Sequence, residues 1–170
     1  MTPADPVRAR LSRLLAEARV ESAALQRIAE EMARYRTDLD AVMPARPVLA
    51  LVAVDLHDYY TAAEALFERV ARPVDGDVPS GLDSHRELLE QMAADVPPVR
   101  PAVLSDDQRR WLHELRTFRH FFRHAYSVGL DPARLREHAD RLLVRHPGLL
   151  EALQRFLAFI EETRDALAPS

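Results

Sequence analysis

The 170-residue chain is 48% apolar and 29% charged with only four glycines, which excludes a disordered polymer and favours an ordered helical body. It has no cysteine, so disulfide and thiolate chemistry are excluded, and its net charge of −4 argues against a protein that coats nucleic acid without selectivity. All 23 basic side chains are arginine, a bias in keeping with genome composition.

At this length one domain spanning residues 1–170 is the default expectation. The longest apolar run, Val48 to Val54, is far short of the ~20 residues a bilayer-spanning helix needs. The polar opening residues give no sign of a leader, so the expectation is a cytoplasmic protein without membrane association.

In chain order, Asp5-Pro6 reads as a helix start, an N-cap acid followed by a first-turn proline. Leu11, Ala18, Leu25, Met32 and Leu39 recur at heptad spacing, with Leu14, Ile28, Tyr35 and Val42 offset from them, and predict one helix from about Pro6 to Val42. At ~1.5 Å per residue it would approach about 55 Å, long for a compact bundle of this mass. Three outcomes are open: a break near Glu21-Ser22, where Glu21 occupies a seam position; an N-terminal half that projects toward a partner helix; or an ordinary bundle helix with a frayed start.

Pro44 and Pro47 end that pattern, and a second helix is predicted from about Val48 to Arg72. Leu49, Val52, Leu56, Tyr59, Ala63, Leu66 and Val70 form its inner stripe, leaving His57, Thr61, Glu64 and Glu68 outside. Asp55, His57 and Asp58 are metal-ligand types, but they do not converge on one face. Pro73 to Ser84, with Gly76, Pro79 and Gly81, reads as a loop. A short helix follows from about Ser84 to Asp95 with Leu88, Leu89 and Met92, and then an extended linker, Val96 to Pro101. Further on, Gly129 marks a helix stop and Asp131-Pro132 a new start. The last helical pattern reaches about Ala166, and Pro147-Gly148 predicts a kink or a split into Pro132–Arg145 and Pro147–Leu167. No strand alternation, glycine-rich phosphate loop or internal repeat appears. The fold class expected is all-α, a bundle of about five helices.

Between the linker and Gly129 lies the segment that asks for a function. Trp111, Leu115, Phe118, Phe122 and Ala125 share one helical stripe, and Ser105 with Asp106 and Asp107 supplies an N-cap and first-turn acids. At ~100° per residue, Arg116, Arg119 and Arg123 fall on one flank of that stripe, with Tyr126 at its border, and His113, His120 and His124 cluster further round. From Arg100 to Tyr126 six arginines face Asp106, Asp107 and Glu114, a local balance of +3 on an acidic chain. Any one exposed arginine or histidine is ordinarily just solvated. The joint pattern suits a site that engages a few phosphates.

The string Arg119-His120-x-x-x-His124-x-Tyr126 resembles the signature of the HEPN superfamily, and its closing His-x-Tyr resembles that of the HepT toxin family within it. Tyr59-Tyr60 and Glu64 also resemble a recurrent segment of HepT-like sequences, which implies packing against the motif helix. The resemblance implies a small HEPN-like helical ribonuclease, active as a homodimer whose motifs meet in a cleft. It implies cleavage of single-stranded RNA without a metal, leaving a cyclic phosphate, and no DNA partner. It further implies a partner nucleotidyltransferase antitoxin (MNT-type) that attaches adenylate to Tyr126. His120 stands where asparagine or aspartate is common.

The chemistry agrees with the residue types. RNA carries its own nucleophile in the 2′-hydroxyl, so a protein must add proton transfer and charge stabilisation. A histidine with an ordinary pKa near ~6.5 moves protons in both directions at neutral pH, and an arginine holds phosphoryl oxygens bidentately as charge builds. His124 and Arg119 are the candidates for those catalytic roles, with Arg116, His120 and Arg123 as phosphate or RNA contacts. Arg119 and His124 lie about 140° apart on one helix, so two facing copies surround a phosphate better than one. No cofactor or metal is called for. The rival readings are a non-catalytic helical module that binds protein or nucleotide, and, ranked last, a metal site on the His120/His124 pair with His113 nearby.

Overall fold

The computed structural model describes residues 4–124 and 129–167, with side chains for 6–118 and 129–167. Five α-helices carry the fold among these residues: α1 Ala4–Tyr35, α2 Arg46–Val70, α3 Ser84–Ala93, α4 Asp106–His124 and α5 Pro132–Ala166. A 3-10 turn, Arg36–Asp40, follows α1, and a π turn, Ala71–Asp75, follows α2. No strand occurs among the described residues; an isolated bridge pairs Val96 with Arg100. The all-α bundle expected from periodicity is the fold observed.

α1, α2 and α5 form the central layer, α1 packing along both of the others, and α3 and α4 cover the remaining side of α2. One continuous core runs from Leu11 through Leu14, Leu25 and Met32 to Leu56, Tyr59, Leu66, Leu89, Leu142 and Phe156. The predicted stripe of α2 is buried at every position from Leu49 to Val70.

The N-terminal helix is long, as predicted, but it neither breaks at Glu21-Ser22 nor projects. Its seam is buried from Leu11 to Met32, and it ends at Tyr35, short of Val42, which is exposed. Glu21 is tolerated at the seam because Arg69 of α2 reaches it at 2.9 Å and also contacts Glu17 at 3.2 Å. Glu64, expected outside, is buried, because α3 crosses that side of α2 and His85 hydrogen-bonds its carboxylate. A period-based reading of α2 alone has no means of seeing α3.

Of the two outcomes expected at Pro147, the split does not occur: α5 runs as one helix through the proline. Proline removes a hydrogen bond to the preceding turn, but His146 and Leu149 on either side are buried and hold the register. Tyr59 donates its hydroxyl hydrogen to His146 Nδ1 at 2.8 Å, burial having pushed the phenol well up, and His146 Nε2 donates to Gln26 at 2.9 Å. This chain of side chains ties α1, α2 and α5 together at the proline.

The segment between α2 and α4 is closed by Arg100. Its side chain is fully buried, and its guanidinium donates to Asp75 Oδ1 at 2.6 Å and Oδ2 at 2.8 Å, and to the carbonyls of Gln91, Ala94 and Pro101. Gly76, at φ 79°, ends the π turn in a left-handed conformation that other residues adopt at a cost.

Candidate nucleic-acid interface

The helix that carries the motif is fixed at its start. Gln108 N–H donates to Ser105 Oγ at 3.2 Å while Ser105 N–H donates to Gln108 Oε1 at 2.9 Å, a reciprocal cap for α4. The same Gln108 donates from Nε2 to the Gly148 carbonyl at 2.9 Å, so the start of α4 is tied to α5 beside its proline. Trp111, Leu115 and Phe118 are buried as their spacing predicts, and Leu112 joins them. Tyr59 lies against Trp111 with ring centroids 6.0 Å apart, the packing of α2 on the motif helix that the Tyr59-Tyr60 segment implied.

Charge along α4 is unevenly satisfied. Arg109 contacts Asp106 at 2.7 Å, and Arg110 pairs with both Asp106 and Asp107. Arg141 of α5 takes Glu114. Arg100 is buried against Asp75 and is no part of a surface patch. The local excess counted from the sequence is therefore not spread over the segment. Its early arginines are matched, whereas Arg116 meets no carboxylate among the described residues.

Arg116 is partly buried, its Nε is shielded from solvent with no hydrogen-bond partner, and it pairs with no carboxylate among the described residues. His113, one turn earlier, has its pKa lowered by burial first and then by Arg116, Arg109 and Arg86, against an opposing pull from Glu90. The neutral imidazole is thereby favoured. Arg116, on the flank where the sequence placed it, and His113, placed further round, lie one turn apart on α4, near enough for the guanidinium to act on the imidazole. Arg119, His120, Arg123 and His124 lie on α4 in its last turns. Their side chains, and the whole of Tyr126, fall outside the described residues. The C-terminal end of a helix is its negative pole, so cationic side chains there are favoured even without a ligand.

One neighbour was missed by sequence reasoning. His138 of α5 packs on Phe118 with ring centroids 4.7 Å apart, and burial lowers its pKa. The available signal was its place beside the Leu135–Leu142 stripe, but nothing in that stripe says that α5 turns this edge toward Phe118. Among the described residues no group of three or more His, Asp or Glu side chains gathers as a metal set. None of the described helices is long and apolar enough to cross a membrane.

The fold and the charge distribution define a class: an all-α bundle whose fourth helix is capped and anchored at one end and rich in arginine and histidine toward the other. The chain belongs to the HepT-like family. A family model described as HepT-like protein matches residues 51–160, from within α2 to within α5, including all of α4. Helix α1 lies before the matched region. Comparison with curated proteins and with solved structures gave no match. Membership connects the chain, at the level of the family, with HEPN-type nucleases of toxin–antitoxin systems.

Proposed function

We propose that this protein is a metal-independent endoribonuclease, the toxin of a toxin–antitoxin pair, acting on single-stranded RNA. The observation that carries the reading is Arg119-His120-x-x-x-His124-x-Tyr126, set in and just beyond α4 of a HepT-like chain. His124 takes the proton of the 2′-hydroxyl as its oxygen attacks the adjacent phosphorus. The bond to the 5′-oxygen breaks, that oxygen receives a proton, and a 2′,3′-cyclic phosphate remains. Arg119 holds the phosphoryl oxygens as their charge grows. Arg116, Arg123 and His120 contact the phosphates on either side.

The working unit is a cytoplasmic homodimer with the α4 ends facing, because one helix separates Arg119 from His124 by about 140°. In that arrangement the histidine of one copy serves as base and that of the other as acid. The antitoxin is a nucleotidyltransferase that adenylates Tyr126, placing a phosphodiester where Arg119 and Arg123 receive the RNA phosphate. Tyr126→Phe then resists silencing on co-expression, while the wild-type Tyr126 peptide gains the mass of adenylate.

Purified protein incubated with single-stranded RNA in EDTA tests the central claim. Cyclic-phosphate ends are expected, and His124→Ala and Arg119→Ala each abolish them. RNA binding without cleavage under any condition favours the non-catalytic module. Mixing the two inactive variants restores part of the activity if each site draws on both copies.

A further inference from the structure

On the side of α2 turned away from α4, the outer faces of α1 and α2 form a long shallow groove with charge of opposite sign at its two ends. At one end lie Arg10, Arg13 and Arg72, none paired with a carboxylate among the described residues. At the other lie Glu31, Asp55 and Asp58, with Arg27 the cation beside them. Over the whole groove the first end holds Arg10, Arg13, Arg69 and Arg72 against Glu17 and Glu68, a balance of +2. The second holds Glu21, Glu31, Asp55 and Asp58 against Arg27, a balance of −3. Between them the lining is Ala24, Ala62 and Ala65, and Ala65 borders both halves.

Within one chain Arg69 and Glu21 meet between the two halves at 2.9 Å, but the charges toward the two extremes of the groove do not neutralise each other. At ~1.5 Å per residue, Arg13 and Glu31 are about 27 Å apart along α1, and Asp58 and Arg72 about 21 Å along α2. Both separations exceed the screening length of roughly 8–10 Å in physiological salt. The acidic end is also under internal strain of charge: burial, Glu31 and Asp58 together push Asp55 up to about 6, and its Oδ2 is shielded without a partner. Exposed apolar side chains stand one helical turn before lining residues: Val20 (68%) before Ala24, Leu51 (51%) before Asp55 and Val54 (42%) before Asp58.

We infer that this α1/α2 face is a self-association surface, occupied by the same face of a second copy turned by a two-fold axis near Ala62 and Ala65. An isologous contact apposes each end of the groove with the opposite end of its mate. Arg10, Arg13 and Arg72 of one copy then meet Glu31, Asp55 and Asp58 of the other, twice over, and the exposed valine and leucine side chains are covered. The alanines let the helices approach at an ordinary interaxial distance of about 8–10 Å. An RNA strand matches only the basic end and is repelled by the acidic one, so a uniform polyanion fits the groove poorly. A partner needs both signs at the right spacing in antiparallel order, and the chain itself has them. This contact is distinct from the α4 pairing proposed above, and it does not rest on the ribonuclease reading.

The absence of native cysteine supplies a clean test. Ala65→Cys, with Ala62→Cys as a second probe, places a lone thiol near the axis, and a short bis-maleimide should yield a covalent dimer in high fraction. Arg13→Glu/Arg72→Glu in the same background should lower that fraction at least tenfold, as should Glu31→Arg/Asp58→Arg. Mixing the two reversed chains, one carrying a mass tag, should restore cross-linking between unlike chains only, since reversed ends are again complementary in the mixed dimer; that recovery also shows that both variants are folded. No cross-linking at either cysteine, or cross-linking indifferent to charge reversal, overturns the proposal. Unchanged cross-linking together with lost RNA retention in the arginine variant assigns the basic end to phosphate binding and overturns it as well.

Discussion

Arg100 and Arg116 are the same side chain in opposite situations. Arg100 sits where the chain crosses from α3 to α4, with no exposed side-chain surface, and each of its N–H groups has an acceptor in Asp75 or in the carbonyls of Gln91, Ala94 and Pro101. Arg116 is partly buried on α4 with its Nε unpartnered among the described residues. Burying a guanidinium is costly unless its donors are met. A fully met one serves the fold, and one left incomplete is available to an anion that arrives later. Composition and spacing rank the two alike. Only their partners separate them.

The comparison breaks most visibly at Arg100. Arg100→Ala leaves Asp75 buried without its cation, and the expected loss is about 3–5 kcal/mol of stability, seen as a fall of roughly 10 °C or more in Tm. If Tm holds within a degree or two, the lock is not structural. The equivalent change on the other side is catalytic: His124→Ala should lower RNA cleavage by about 10²–10⁴-fold with Tm unchanged. Loss of cleavage accompanied by an equal loss of Tm would place His124 with Arg100.

Arg116→Ala should weaken RNA binding by about tenfold, roughly 1.4 kcal/mol, and flatten its salt dependence without lowering Tm. A destabilised Arg116→Ala protein would mean that its unpartnered Nε has been misread. Smaller again is the effect of acid. Burial lowers the pKa values of His138 and His146, so the unfolded chain, with histidines near ~6.5, binds more protons than the folded one below that pH. Stability is therefore full above about 6.5 and falls as pH drops toward the folded values, by at most about 1.4 kcal/mol per pH unit for each histidine. Asp55 acts in the opposite sense: its folded value of about 6 lies above the ordinary aspartate value of 3.8, so protonation between those values favours the fold. Asp55→Asn should thus steepen the acid loss between pH 6 and 4 in thermal melts, and a shallower profile would contradict the assignment. Arg110→Ala, on an exposed pair with Asp106 and Asp107, should leave both Tm and cleavage unchanged.

Much of the fold was legible without coordinates because it follows from local period and local chemistry. The inner stripe of α2, the Ser105 start of α4, the Asp131-Pro132 start of α5, and the burial of Trp111, Leu115 and Phe118 each depend on residues within a few turns of one another. The motif itself is a string within one helix and its continuation, and its order is set by the sequence.

What the tertiary structure decided is every case in which a distant element supplies the partner. Glu21 disturbs a heptad in one dimension and is answered by Arg69 in three. Glu64 reads as a surface acid until α3 folds over it. Pro147 reads as a break until Tyr59, His146 and Gln26 hold α5 in register. The arginines from Arg100 to Arg116 read as one basic stretch until Asp75, Asp106 and Asp107 sort them into matched and unmatched. The physical reason is the same throughout: periodicity records which side of a helix avoids water, whereas the cost of a buried charge depends on what stands opposite it, and that is fixed only when elements far apart in the chain come into contact.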